Sequence, residues 1–279
     1  MSSRTFDWVS SVSGDPRLEV LQRRMEEFYR RPELRQAYQE FVDQREALDH
    51  PFERALAAYL ERYRSVLEIG CGSGRLYRTL RRAGYAGHYT GIEIAEDVIE
   101  RCRRRHPEAE WKVAGAYAIP EGDPEACFSY GVLESFVYPR KALEEMARAV
   151  RRDLVLLFPD FIESGHLGSQ QTGVTPARHK RRPLDVLVGW YDRKLRLPRA
   201  LRSARRRLGP FIINLAPVAL DHPQPPEPDY DAVYLSCKAD IEDWAAARGE
   251  RVEYPLGRTL PRALRARSWA FAVVRKSVT

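Results

Sequence analysis

Apolar residues recur at helical spacing in the part of the chain that precedes residue 64. They form three series with intervals of one to four positions: Leu18, Leu21, Met25 and Phe28; Leu34, Tyr38 and Phe41; Phe52, Leu56, Tyr59 and Leu60. Such spacing places side chains on one face of a helix. We therefore expect residues 1–63 to form a helical cap. Two roles remain open for this cap, covering one face of a sheet or closing over a ligand.

From Ser65 onward, short apolar runs alternate with helical stretches. The predicted strands are Val66–Ile69, His88–Glu93, Trp111–Ala114, Ala126–Tyr130 and Leu154–Phe158, and the helical stretches include Arg75–Arg82, Ala95–Arg105 and Lys141–Arg151. This alternation is typical of right-handed β-α-β units in a parallel, doubly wound α/β sheet. Residues 64–160 are therefore predicted to form a Rossmann-like core, whose ligands bind at the carboxyl ends of the strands.

The alternation stops after Asp160 and resumes with a predicted helix at Ala239–Arg248. Two further strands are predicted at Arg251–Tyr254 and Trp269–Val274. The stretch without alternation is longer than an ordinary connection inside a compact domain. We therefore expect residues 161–232 to form an insertion after the fifth strand, and residues 233–279 to complete the core sheet.

The insertion carries much of the positive charge of the chain. The formal net charge is +7, and residues 178–207 alone contain twelve Lys or Arg against two Asp. Apolar residues at helical spacing predict two amphipathic basic helices there: Leu184, Leu187, Val188, Tyr191 and Leu195 in one, and Leu197, Leu201, Ala204 and Leu208 in the other. Three interpretations stay open, a solvated face, a lid over an anionic acceptor, and peripheral contact with an anionic membrane surface. Nucleic acid is disfavoured, because no recognised binding module accompanies the charge.

The remaining composition excludes several classes of protein. Residues 1–16 lack the apolar core of a signal peptide, and no apolar run is long enough to span a bilayer. We therefore expect a cytoplasmic protein. The four cysteines, Cys71, Cys102, Cys127 and Cys237, show no paired spacing. Neither a metal site nor a disulfide framework is predicted from them.

The most informative motif is the glycine-rich segment that follows the first strand. Residues 68–74 read Glu-Ile-Gly-Cys-Gly-Ser-Gly, and Glu93 ends the next strand. Glycines let the backbone turn sharply and approach a ligand, while the Glu93 carboxylate can accept hydrogen bonds from a ribose diol. A dinucleotide fingerprint needs its third glycine three positions after the second, where this chain has Arg75. Glu68 would repel a phosphate, although it can orient the ammonium group of an amino acid.

The strand, the Glu-x-Gly-x-Gly-x-Gly loop and Glu93 resemble the first two motifs of class I S-adenosylmethionine (SAM) dependent methyltransferases. The resemblance implies a seven-stranded mixed sheet that ends in an antiparallel hairpin, with S-adenosyl-L-methionine as the cofactor. It also implies a set of cofactor-binding residues: Glu68, Gly70, Cys71, Gly72, Gly74, Glu93, Ile94, Ala116, Tyr117, Ser129 and Tyr130.

Two positions depart from the pattern of that family. Relatives commonly carry Gly-Asp-Ala after the third strand, but residues 114–116 read Ala-Gly-Ala. Without that carboxylate, adenine is expected to rely on backbone groups near Ala116 and Tyr117 and on apolar contact with Ile94. Relatives also carry Gly-Val-Leu-Glu-His after the fourth strand, and here Ser135 replaces the histidine. A histidine base is therefore not available at that position.

The sequence gives less information about the methyl acceptor and the catalytic base than about the cofactor. A hydroxyl acceptor needs alignment and a group that takes its proton. His166 is our first choice because it follows the fifth strand closely, and the further candidates are His179, His222, Asp160 and Asp221. An Asn-Pro-Pro-Tyr signature, which grips exocyclic amines, is absent after the fourth strand. An amino group of a nucleobase is therefore a disfavoured target.

These observations favour methyl transfer to oxygen or carbon of a small or lipid-linked acceptor, bound between the insertion and the cap. Two alternatives stay open. The chain could bind SAM as a sensor or scaffold without turnover, because the adenine carboxylate and the histidine are missing. It could also be a nicotinamide-dependent oxidoreductase, because a Rossmann-like core serves both cofactors.

Overall fold

The computed structural model describes residues 16–32, 51–160, 234, 236–257 and 269–276. The α-helices in these ranges are α1 Pro16–Arg30, α2 Pro51–Leu60, α3 Arg75–Arg82, α4 Glu96–Arg105, α5 Pro139–Arg148 and α6 Lys238–Ala247. The strands are β1 Ser65–Ile69, β2 His88–Glu93, β3 Glu110–Val113, β4 Ala126–Tyr130, β5 Asp153–Pro159, β6 Arg251–Glu253 and β7 Trp269–Arg275. A short 3₁₀ helix, Leu133–Ser135, follows β4.

The strands form one seven-stranded mixed sheet in the order β3-β2-β1-β4-β5-β7-β6. β1 to β5 are parallel, and β7 runs antiparallel to both β5 and β6. This arrangement confirms the predicted doubly wound α/β fold with a closing hairpin. The strand order reverses beside β1, which lies between β2 and β4. The carboxyl end of β1 is therefore the switch point where such sheets bind ligands.

Both faces of the sheet are covered, as a parallel sheet requires. On one face Leu67 and Ile69 of β1 join a core that includes Met146 of α5 and Trp244 of α6. On the other face the core contains a second set of large side chains from α2, α3 and β3, including Phe52, Tyr77 and Trp111. All seven residues of β5 are buried, which explains why that strand reads as a continuous apolar run.

The predicted elements of the core match the observed ones to within one or two residues at most ends, and β2, β4 and α3 have the predicted bounds. Two of the three predicted N-terminal helices are present as α1 and α2. The series Leu34–Phe41, the insertion at 161–232 and its two basic helices lie outside the described residues. The division of the chain into cap, core and insertion therefore stays a prediction.

All four cysteines are buried and carry free thiols. Within the described ranges, no helix is long and apolar enough to cross a membrane. No group of three or more His, Cys, Asp or Glu side chains in those ranges is arranged to hold a metal ion.

Candidate functional site

A cavity of about 200 Å³ lies at the carboxyl ends of the parallel strands, beside the switch point. The ends of β1, β2, β3 and β4 supply one wall, and α1 supplies part of another. The lining residues from the strand ends include Ile69, Gly70, Gly72, Ser73, Glu93, Ile94, Ala114, Gly115, Ala116, Tyr117, Gly131 and Val132. The glycine loop and Glu93 thus face one common space.

Glu93 is held at the end of β2 by two backbone N–H groups. Its Oε2 accepts a hydrogen bond from Gly72 N at 3.3 Å, and its Oε1 accepts one from Ile94 N at 2.7 Å. These bonds fix the carboxylate against the glycine loop, on the wall of the cavity. A carboxylate can accept about four hydrogen bonds. The arrangement is therefore compatible with a diol that donates to Glu93.

The glycines of the loop meet different surroundings. Gly72 has φ of 49°, and no atom lies within 4 Å of the position that a Cβ would take there. A Cβ on Gly74, where φ is 76°, would lie 2.8 Å from the ring of Trp111. Gly72 therefore opens the loop toward the cavity, whereas Gly74 makes room for an aromatic side chain of the core.

Glu68 lies behind the loop instead of in the cavity. Side chains alternate across a strand, and Glu68 points to the face opposite Leu67 and Ile69, where the Tyr89 hydroxyl donates a short hydrogen bond to it. Burial raises the pKa of Glu68 to about 8, partly opposed by the Tyr89 bond and by the charge of Arg75. The predicted contact of this carboxyl group with an amino acid ammonium stays a prediction.

Tyr117 connects the strand end with α1. Its hydroxyl donates to Gln22 Oε1 at 3.2 Å and accepts from Tyr138 N at 3.2 Å. A second contact between these parts joins Tyr29 Oη and Ser135 Oγ at 3.5 Å. Gln22, Tyr29, Tyr117 and Ser135 all line the cavity. The N-terminal helix is therefore held across the cavity by polar contacts with the core.

The predicted cofactor residues divide into two groups. Six of them line the cavity: Gly70, Gly72, Glu93, Ile94, Ala116 and Tyr117. The other five are outside its lining: Glu68, Cys71, Gly74, Ser129 and Tyr130. Tyr130 packs against Trp269 instead, with ring centroids 5.2 Å apart. His166, the predicted base, lies outside the described residues.

Several lining residues were not predicted from the sequence. They are Gln22, Met25, Glu26, Tyr29 and Arg30 of α1 and, after β4, Gly131, Val132, Ser135 and Phe136. The apolar series predicted α1 as a helix, but nothing in that series indicates which part of the core it covers. The Gly-Val pair after β4 did carry a signal, because it stands in the motif that resembles the methyltransferase family.

Known proteins match part of this chain. Residues 67–158 match a family model described as a methyltransferase domain. A fatty-acid O-methyltransferase of Mycolicibacterium smegmatis is 36% identical over 99 residues, which are 34% of this chain and 36% of that protein. A malonyl-[acyl-carrier protein] O-methyltransferase of Brevibacillus brevis is 30% identical over 114 residues, covering 35% of this chain and 38% of that protein. The chain thus spans little more than a third of these relatives.

Solved structures share the fold at low sequence identity. The magnesium protoporphyrin IX methyltransferase of Synechocystis with bound S-adenosylhomocysteine (SAH) aligns with a TM-score of 0.52 and 14% identity, over 91% of this chain and 98% of that chain. An O-methyltransferase family protein of Burkholderia thailandensis aligns with a TM-score of 0.54 and 14% identity, over 94% of this chain and 68% of that chain.

Proposed function

We propose that this chain, whose residues 67–158 match a methyltransferase domain model, is a class I SAM-dependent methyltransferase that transfers the methyl group of SAM to an oxygen atom of a small or lipid-linked acceptor. The family prediction made from the glycine loop and Glu93 is confirmed by the domain match over residues 67–158. The prediction of a class I fold is confirmed by the seven-stranded sheet.

One observation carries the proposal. The cavity brings the Glu93 carboxylate, fixed by Gly72 N and Ile94 N, to the same wall as the open loop position Gly72. This arrangement suits a ribose diol at Glu93 and an amino acid portion beside the glycine loop. When bound, SAM supplies a methyl group on a positively charged sulfur, and this chain's residues must hold and align it.

The adenine end of the proposed site lacks a carboxylate. Ala116 and Tyr117 line the cavity on the β3 side, and Ile94 lies next to Glu93. These residues are proposed to offer backbone groups and apolar contact to a planar base. α1 is proposed to close the site from outside, because Met25 and Tyr29 line the cavity opposite the strand ends.

The proposed acceptor class follows from the relatives. Two of them are O-methyltransferases for a fatty acid and for a malonyl group on a carrier protein. Both names describe acyl acceptors. We therefore propose an oxygen atom as the methyl acceptor.

Calorimetry tests the cofactor. The protein is titrated separately with SAM and with NADH. We expect a saturable heat for SAM and none for NADH. Binding of NADH without binding of SAM would replace the proposal with the oxidoreductase alternative.

Turnover is tested with the same protein. Labelled SAM is incubated with palmitate and with catechol, and SAH is quantified. Formation of SAH that requires protein and acceptor supports the enzyme. Tight SAM binding with the cofactor recovered unchanged in both mixtures would favour the sensor alternative.

A further inference from the structure

Glu134 occupies the 3₁₀ helix that follows β4, beside the cavity. Its neighbours Val132, Ser135 and Phe136 line the cavity, as does Gly131. The Glu134 side chain turns back along the strand end, and its Oε1 lies 3.8 Å from the position that a Cβ on Gly131 would take. The same Cβ position is 3.0 Å from the ring of Trp269. The carboxyl group therefore lies at the β4 end of the site, near the start of β7.

This carboxyl group is buried and incompletely bonded. Glu134 is 4% exposed, and its Oε2 has no hydrogen-bond partner among the described residues. The Oγ of Ser129, which is 1% exposed near the same strand end, also lacks a partner in that part of the chain. Leaving a buried polar atom without a partner destabilises the folded protein. The unpartnered Glu134 oxygen indicates a place where a polar ligand group completes the bonding.

The ionisable side chains described on nearby elements are paired with one another and not with Glu134. Tyr234, whose N donates to Glu134 O, donates its hydroxyl to Asp240 at 2.9 Å. Lys238 forms a buried ion pair with Asp160 at 3.0 Å. Arg75 is bound to Glu53 at 2.5 Å. Burial raises the pKa of Glu134 to about 7, and the backbone N–H of Glu134 lowers it less.

The position of Glu134 along the sheet matches the order of the proposed ligand. Ala116 and Tyr117 lie at the β3 end of the cavity and Glu93 at β2, while Gly70 follows β1 and Gly131 follows β4. With adenine at β3 and ribose at β2, the reactive end of SAM lies toward β4. An acceptor must then approach from the β4 and β5 side, where Glu134 lies.

We propose that Glu134 contacts the acceptor and takes the proton of an acceptor hydroxyl. This inference rests on the proposed function and specifies its acceptor as an alcohol or a phenol. The acceptor oxygen forms a bond to the methyl carbon while the carbon–sulfur bond breaks and its electron pair stays on sulfur. The hydroxyl proton moves to the Glu134 carboxylate, which releases it to solvent after the product leaves.

Glu134→Gln tests this role, because glutamine keeps the shape of the side chain and cannot take a proton. The rate of methyl transfer to catechol is expected to fall by roughly 10²- to 10⁴-fold. The rate with 4-nitrocatechol is expected to fall much less, because its hydroxyl is already ionised near neutral pH. The affinity for SAM measured by calorimetry is expected to stay unchanged. Glu121→Gln, at an exposed surface position, is the control and should match the wild type with both probes.

The pH dependence of the methyl-transfer rate provides a second test of the same variant. The wild-type rate with catechol should rise with pH and level off above about 7, where the Glu134 carboxyl ionises. That limb of the profile should be absent from Glu134→Gln. Equal losses with catechol and 4-nitrocatechol would show a structural role and overturn the proposal. Transfer to palmitate alone, at equal rates in wild type and variant, would also overturn it.

A measurement without turnover separates this inference from the proposed function. Thermal unfolding of the SAM-free protein is followed at pH 5 and pH 8. Glu134→Gln should unfold at a higher temperature than the wild type at pH 8 and at nearly the same temperature at pH 5. The reason is that the neutral glutamine avoids the free-energy cost of burying a charged carboxylate, which the wild type carries only at the higher pH. The same difference at both pH values would contradict an ionising Glu134. Failure of the wild type to bind SAM would instead contradict the proposed function.

Discussion

Gly72 and Gly74 lie two positions apart in one loop, and the absence of a side chain has a different reason at each. Both have positive φ, but a Cβ on Gly74 would lie 2.8 Å from Trp111, whereas one on Gly72 would meet no atom within 4 Å. The motif therefore combines a position that faces the cavity with one that serves packing. A pattern of glycines in the sequence cannot separate these roles, because both require a missing side chain.

Substitution by alanine should separate them. Gly72→Ala is expected to cost about 1–2 kcal/mol of unfolding free energy, from left-handed backbone alone. Gly74→Ala should cost a further 1–3 kcal/mol or so, because the new methyl group overlaps the Trp111 ring. Urea unfolding of both variants measures the difference. Equal losses would show that the contact with Trp111 does not constrain this position.

Glu68 gives the core a pH dependence. Its pKa is raised from 4.5 to about 8 by burial, so between these pH values the unfolded chain loses the proton while the folded protein keeps it. The unfolding free energy should therefore fall as the pH rises from about 4.5 to 8.

Glu68→Gln should flatten that fall by a few kcal/mol between pH 5 and pH 8, measured by urea unfolding at each pH. The glutamine Oε1 can still accept the hydrogen bond of the Tyr89 hydroxyl. Glu100→Gln, at an exposed position on α4, should keep the wild-type slope. A Glu68→Gln protein with an unchanged slope would argue against a protonated Glu68 in the folded state.

At the scale of elements, the strands were predictable and the partner of α1 was not. Strand β4 is buried over most of its length and lies inside a parallel sheet, so its sequence is mostly apolar. Strand β2 has buried positions among more exposed ones. Both strands have the bounds expected from sequence. The apolar series of α1 indicated a helix, but its contacts with Tyr117 and Ser135 join residues 95 and 106 positions apart. Local periodicity carries no information about such distant pairs.

The hydrogen bonds of the Tyr117 hydroxyl to α1 and to Tyr138 should stabilise the position of α1 on the core. Tyr117→Phe removes the hydroxyl that donates to Gln22 and accepts from Tyr138 N, at about 0.5–1.5 kcal/mol per bond. Amide hydrogen exchange in residues 16–30 should become faster. Tyr85→Phe is the control, because Tyr85 donates to His88 O away from the cavity. Unchanged exchange in α1 would show that Tyr117 does not hold it.

At the scale of the whole molecule, the alternation of strands and helices predicted the sheet, and the glycine loop with Glu93 predicted the family. The acceptor pocket was not predictable in the same detail, because apolar spacing gives helices without giving their partners. Residues that combine distant segments, such as Ser135 and Tyr29, become visible only in three dimensions. His166 and the basic segment 178–207 remain predictions from sequence.

The basic segment leads to a prediction about membranes. Residues 178–207 contain twelve Lys or Arg, and electrostatic attraction to anionic lipid is screened by salt. If this segment contacts a membrane, flotation with phosphatidylserine-containing vesicles should decrease as salt rises. Equal flotation with neutral vesicles would contradict an electrostatic contact.

The central claim is that the cavity holds SAM with its ribose at Glu93. Calorimetric titration of SAM into wild type, Glu93→Ala and Glu96→Ala tests it most directly, since Glu96 is exposed on the next helix and does not line the cavity. We predict that Glu93→Ala weakens SAM binding by about 1–3 kcal/mol, through loss of hydrogen bonds to a charged acceptor, while Glu96→Ala binds as the wild type does. Wild-type affinity in Glu93→Ala would contradict the account.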